Sequence, residues 1–171
     1  MNFDEAFERV IGHEGKYQAE PMDRGNWTTG TVGEGVLKGT KWGISAMSYP
    51  DLDIKNLTIE QAKAIYKRDF WDRGRLGEYD EGFMFQVFDA GVNHGFGNAI
   101  RFVQRAIDVA DDGKVGAVTL GAMRATSVTD LVMRFNAQRL RFIVKLREFQ
   151  KFGGGWVNRV ALNLEYGATD T

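Results

Sequence analysis

The residues that this sequence places to do chemistry are carboxylates. Glu14 ends the run Val10-Ile11-Gly12-His13-Glu14, just before a glycine-rich segment, and Asp23 follows nine residues later, beyond a turn. A carboxylic acid where an apolar helix meets a lobe is shielded from water, which raises its pKa and keeps it protonated near neutral pH. Such a group can protonate a glycosidic oxygen, which leaves poorly until it is protonated. The competing reading of Glu14 is a helix-end glutamate on an ordinary surface. Asp23 is placed to face Glu14 across a cleft, and it also suits a plain turn before Gly25. His13 adjoins Glu14, but adjacent residues on a helix point apart, which favours a bland role for it.

Other chemistries lack their parts. His13 and His94 are the only histidines and form neither an HExxH nor a paired pattern, so a zinc peptidase or amidase has no ligand set. Of the three serines, Ser45 in Gly43-Ile44-Ser45-Ala46-Met47 lacks the second glycine of a nucleophile elbow. The absence of cysteine removes thiolate nucleophiles, disulfides and Cys-ligated zinc together. No phosphate-cradling glycine loop occurs. Glycosidic cleavage is the reaction that carboxylates alone can run, and no metal or organic cofactor is implied.

These carboxylates must be held by helices. Asn2 with Glu5 predicts a capped first helix carrying Phe3, Ala6, Phe7, Val10 and Ile11 on one stripe. Residues 15 to 45, punctuated by seven glycines, read as loops and short strands, a small β-lobe. Thr58 with Gln61 opens a second helix, with Ala62, Ile65, Tyr66 and Phe70 on one face, ending near Trp71 to Gly74. From Gly82 the period is helical almost throughout, broken by Gly95-Phe96-Gly97-Asn98 and by the Asp112-Gly113 turn. Ser127 and Asp130 cap what reads as the longest helix, carrying Leu131, Phe135, Phe142, Leu146 and Phe149. It should stop at Gly153-Gly154-Gly155, with a last helix from Trp156 to about Tyr166.

A chain of 171 residues suits one compact domain or two closely packed halves. Hydrophobic content of 43% with 26% charge is ordinary for a globular protein, and no apolar run reaches the roughly 18 to 20 residues of a membrane span. The N-terminus has no basic region followed by an apolar run, so no signal peptide is expected. Net charge of −1 argues against nucleic acid as a partner. The charge is uneven: Ser127 to Thr171 holds seven basic residues and four acids, leaving −4 for the rest. That basic surplus is either a solvated helix face or an attraction to anionic wall polymers or lipids.

The stretch from Val10 to Tyr17 resembles the catalytic opening of the lysozyme superfamily. More specifically it resembles glycoside hydrolase family 108, whose helix ends in Glu-Gly-Gly-Tyr; here Lys16 stands at the second glycine. The likeness continues through Asp23-Arg24-Gly25, Thr40-Lys41-Trp42-Gly43-Ile44-Ser45 and Thr58 to Trp71, with a longer loop from Asn26 to Gly39. Phe88 to Gly95, Asp112 to Gly116 with Thr119, and Phe152 to Arg159 are similar to that family's helical peptidoglycan-binding partner. The resemblance implies a mainly α, lysozyme-like fold with a small loop and β-hairpin lobe near the N-terminus. It implies a catalytic half at residues 1–85 and a peptidoglycan-binding-like half at 86–171, packed as one compact unit. The implied function is a phage endolysin hydrolysing the β-1,4 bond between N-acetylmuramic acid and N-acetylglucosamine. Glu14 would be the acid, Asp23 would position water or stabilise developing positive charge, and Thr40, with Thr28 and Thr29 as rivals, would hold the water.

Tyr17, Trp42 and Tyr49 suit either stacking on sugar faces or lobe packing. Asn93 shares a helical face with Asp89, and the pair suits either sugar contact or a hydrogen bond tying helices together. The expected partner is the peptidoglycan glycan strand, bound by a monomer without membrane insertion. The chain is expected to be made in a host bacterium's cytoplasm and to reach the wall after the membrane is permeabilised. Two alternatives stand beside this: a lytic transglycosylase, which uses muramic acid's own C6 hydroxyl with Glu14 alone, and a non-catalytic wall-binding or structural module.

Overall fold

The computed structural model describes residues 1–11 and 16–170. It is mainly α, with seven α-helices and one two-stranded sheet among the described residues. By contact the chain divides into two compact units, one of Phe7–Arg68 and the other of Met1–Ala6 with the chain from Asp69 on.

Helix α1, Phe3–Ile11, is capped as its sequence predicts: Asn2 Oδ1 accepts from the Glu5 amide at 3.0 Å and Glu5 Oε2 from the Asn2 amide at 2.9 Å. In the smaller unit β1, Thr40–Lys41, pairs antiparallel with β2, Ile44–Ser45. The two-residue turn between them, Trp42-Gly43, has φ of 52° and 72°, the double left-handed signature of a type I′ hairpin. Glycine is natural there, and a Cβ on Gly43 would run into the Tyr66 hydroxyl. Isolated bridges Gln18↔Thr40 and Trp27↔Leu37 extend the lobe. Helix α2, Ile59–Tyr66, opens on the complete Thr58 and Gln61 capping box and runs into a π-helical turn, Lys67–Asp72. Phe7, Ile11, Ile44, Ile54, Leu57, Ile65 and Tyr66 are buried here, and Tyr66 ties the hairpin to α2 by donating to the Trp42 carbonyl at 3.1 Å.

In the larger unit α3, Glu81–His94, is buried at every position from Gly82 to Gly91, the polar Gln86 and Asp89 included. Helices α4, Phe96–Ala106, α6, Val128–Ile143, and α7, Phe149–Asp170, pack around it, while α5, Ala117–Arg124, is a short connector. Gly95, at φ 82°, makes the expected break between α3 and α4. Phe83 and Phe102 meet Phe135 edge-on, with ring centroids 5.3 and 6.1 Å apart. At the other end Phe3, Trp71 and Phe88 form an aromatic cluster.

The C-terminal helices depart from the sequence reading. The long helix stops at Ile143 rather than at the glycines, and Gly153-Gly154-Gly155 lies inside α7, the longest helix. None of the three glycines has positive φ. Gly153 is buried, where a Cβ would meet the Phe149 ring at 2.5 Å, and near the end of α7 a Cβ on Gly167 would meet Val132 of early α6 at 2.6 Å. Gly167 thus allows a close antiparallel approach of α7 to α6, while Gly153 makes room for the Phe149 ring of α7 itself.

Candidate active site

The smaller unit carries a polar network around Asn26, which is wholly buried. Asp23 caps a short 3-10 turn, Arg24–Asn26, its Oδ1 accepting from the Gly25 amide at 2.9 Å. The amides of Gln18 and Asn26 pair reciprocally, Asn26 Nδ2 donating to Gln18 Oε1 at 2.8 Å and Gln18 Nε2 to Asn26 Oδ1 at 3.2 Å. Gln18 Nε2 also reaches Asp23 Oδ2 at 3.5 Å, and Asn26 Nδ2 donates to the Glu20 carbonyl at 3.0 Å. The Thr40 hydroxyl donates to Asn26 Oδ1 at 2.7 Å. Asn26 therefore uses its full amide capacity, and Asp23 and Thr40 hang from one Gln18–Asn26 frame. The Asn26 carbonyl also takes the Lys38 and Gly39 amides, so the frame anchors both ends of the long loop.

This frame separates the three candidate threonines. The Thr28 hydroxyl accepts from the Val36 amide and that of Thr29 donates to the Glu34 carbonyl, so both shape the loop. Thr40 alone of the three bonds into the Asp23 network. Gln18 and Asn26 went unread in the sequence, since two amides eight residues apart in irregular chain leave no periodic signal. Glu14 and His13 lie outside the described residues.

The aromatic candidates share this unit. Tyr17 is 37% exposed and its ring packs beside Gly39, whose φ of 83° and nearness to the Gln18 carbonyl leave no room for a Cβ. Trp42 is half-buried in the left-handed first position of the hairpin turn, and its buried Nε1 has no hydrogen-bond partner among the described residues. A bulky residue there is a backbone outlier of the kind that accumulates at ligand sites. Tyr49 is half-buried after β2. Asn93 belongs to the other unit: it is exposed, and its amide donates to the carbonyl of Asp89 at 2.7 Å and to its carboxylate at 3.3 Å.

Asp89 has the helix-tying role that the sequence allowed. Its Oδ2 lies 2.7 Å from Arg139 Nη1 and accepts from Asn163 at 2.6 Å, and its Oδ1 accepts from Arg159 Nε at 2.8 Å. The two guanidinium charges outweigh the penalty of burying the carboxylate, so its pKa is lowered. Arg139 Nε donates to His94 Nε2 at 2.9 Å. Burial, then the neighbouring guanidinium, pushes His94 down to about 4.

The family model for glycosyl hydrolase 108 matches residues 7–95, more than half of the chain. The chain belongs to the glycosyl hydrolase 108 family. A second model, described as a predicted peptidoglycan domain, matches residues 98–161 of this family member. The solved structure of Brucella abortus SagA superposes with a TM-score of 0.83 at 25% identity, over 98% of this chain and 94% of that one. No curated protein matches. The fold is thus the mainly α, lysozyme-like one, and this glycosyl hydrolase 108 member is a glycosidase acting on peptidoglycan. No helix among its described residues is long and apolar enough to cross a membrane.

Proposed function

We propose that the chain is a hydrolytic N-acetylmuramidase that cuts the β-1,4 bond between N-acetylmuramic acid and N-acetylglucosamine, with Glu14 as the general acid. The observation that carries the hydrolytic reading is the common frame of Asp23 and Thr40. The Thr40 proton is committed to Asn26, so towards a water its oxygen can only accept. The Asp23 carboxylate is likewise an acceptor. A water giving its two hydrogens to these groups turns a lone pair towards the anomeric carbon. Glu14 protonates the leaving oxygen, water forms the new C1–O bond, and Asp23 takes the water's proton. A transglycosylase, whose nucleophile is already tethered to the sugar, has no need of such a frame. Tyr17, Trp42 and Tyr49 are the sugar-stacking aromatics in this reading, and residues 86–171, with Asn93, serve wall binding. The chain acts as a phage endolysin, reaching the wall once the membrane is open.

Mass spectrometry of digested, purified peptidoglycan tests this. Products should carry a reducing muramic acid, and Glu14→Gln should abolish digestion with the melting temperature unchanged. Products lighter by one water, as 1,6-anhydro sugars, would overturn hydrolysis; digestion by Glu14→Gln within tenfold of wild type would overturn the acid, since one acid usually supplies about 10²- to 10⁴-fold.

A further inference from the structure

In the larger unit α6 and α7 are antiparallel neighbours, with Val132 of early α6 beside Gly167 of late α7. One side of this pair faces the core: Phe135 of α6 meets Phe83 of α3 and Phe102 of α4, and Arg159 and Asn163 of α7 reach Asp89 of α3. The opposite side is apolar as well. On α6 and its C-cap it carries Met133, Ala137, Leu140 and Val144, spaced four, three and four, with Met133 and Val144 each 53% exposed. On α7 it carries Gly154, Val157, Ala161, Leu164 and Ala168, spaced three, four, three and four, and all five are exposed. At about 100° per residue, each row stands roughly a quarter turn round from the contact of Val132 with Gly167, in the same rotational sense. In antiparallel helices that puts both rows on one outer side, away from α3 and α4.

An apolar row that alternates threes and fours is the seam that one helix buries against another, and here two such rows lie side by side in solvent. The charges beside the α7 row say what fits it. Lys151 and Glu165 flank the row, seven residues before and seven after Asn158. Both are exposed, and neither has an ion-pair partner among the described residues; the Lys151 ammonium lies 5.0 Å over the Phe152 ring. A base and an acid equidistant from one point are matched by a reversed copy of the same helix, in which each falls beside its opposite.

We propose that the outer face of α6 and α7 is the interface of a symmetric homodimer, in place of the expected monomer, with α7 antiparallel to its mate about a twofold axis beside Asn158. In that register Gly154 lies opposite the partner's Leu164 and Val157 opposite the partner's Ala161. Each layer therefore sets a small residue against a large one, which lets the helices approach closely. Lys151 falls beside the partner's Glu165, and the symmetry repeats that pair at the other end. Met133, Leu140 and Val144 of α6 widen the apolar contact. Two joined chains carry two glycosidase units to one polymer, so that engagement of one raises the effective concentration of the other. The interface is independent of the muramidase reading.

Sedimentation equilibrium of the full chain over a range of concentrations tests this. Wild type should show a reversible monomer and dimer. Ala161→Glu, which puts a charge into the central layer at an exposed helical position, should leave only monomer with an unchanged circular-dichroism spectrum. Glu165→Lys sets like charges together at both ends and should weaken association about tenfold. Adding Lys151→Glu to it restores opposite charges across the interface and should return association to near the wild-type value, which a general effect of surface charge would not do. Monomer alone at every concentration up to about 1 mM overturns the proposal, as does a dimer that withstands Ala161→Glu. A dimer weakened by Glu165→Lys and not recovered in the double variant overturns the antiparallel pairing about Asn158.

Discussion

At the scale of single residues, the frame around Asn26 turns a carboxylate and a hydroxyl into a matched pair of acceptors. Asp23→Asn removes the proposed proton acceptor while keeping its size, so wall digestion should fall by about 10²-fold with little change in melting temperature. Thr40→Val should cost about tenfold, one hydrogen bond's worth, and Thr40→Ser should restore most of it. A loss in Asp23→Asn matched by an equal collapse in stability would reduce Asp23 to a turn residue. Asp23 and Thr40 entered as candidates, Asp23 by its place across the turn from Glu14 and Thr40 by the resemblance of its motif, and the structure joins both to one frame. The amides that hold them were not legible, because their pairing is set by how the lobe folds back and not by any local pattern.

At the scale of elements, caps were the most legible features. Asn2 with Glu5, Thr58 with Gln61, and Ser127 with Asp130 each bond as their side chains dictate. The glycines were less legible, because one residue type serves two opposite ends. Gly39 is needed for its backbone: at φ 83°, against the Gln18 carbonyl, Gly39→Ala should destabilise the smaller unit by about 1–3 kcal/mol and slow digestion through Thr40 and Tyr17 beside it. Gly154 and Gly155 are exposed, have no positive φ, and have nothing within 4 Å of an added Cβ. Replacing either by alanine should therefore raise stability by about 0.5–1 kcal/mol in denaturant unfolding. A loss at both positions would mean that the helix breaks there. Nothing in Lys145 to Glu148, all ordinary helix formers, announced where α6 ends; the reversal into α7 is a demand of tertiary packing.

At the scale of the whole molecule, the larger unit is joined through a buried charge centre, and this sets how the protein meets acid. Asp89 on α3 holds Arg139 on α6 and Arg159 and Asn163 on α7, with neutral His94 accepting from Arg139. The Asp89 tie was readable as one of two alternatives, whereas the arginines that answer it lie 50 and 70 residues away and no spacing rule reaches them. Burial and Arg139 lower the His94 pKa from 6.5 to about 4. Above pH 6.5 folded and unfolded chains both hold the imidazole neutral. As pH falls from there towards 4, the unfolded chain binds a proton that the folded chain refuses, so stability falls; below about 4 both are protonated and this loss stops. Asp89 then adds its own loss below the ordinary value of 3.8, because its folded pKa is lower still. The His94 step is worth at most about 3.5 kcal/mol, at about 1.4 kcal/mol per pH unit over the interval from 6.5 to about 4. Denaturant unfolding at pH 7 and pH 4.5 should show most of it in wild type. His94→Gln, which keeps an acceptor for Arg139 but cannot titrate, should flatten the slope between those values and leave the Asp89 loss at lower pH. An unchanged slope in His94→Gln would remove His94 as its source and leave the acid sensitivity to the carboxylates alone.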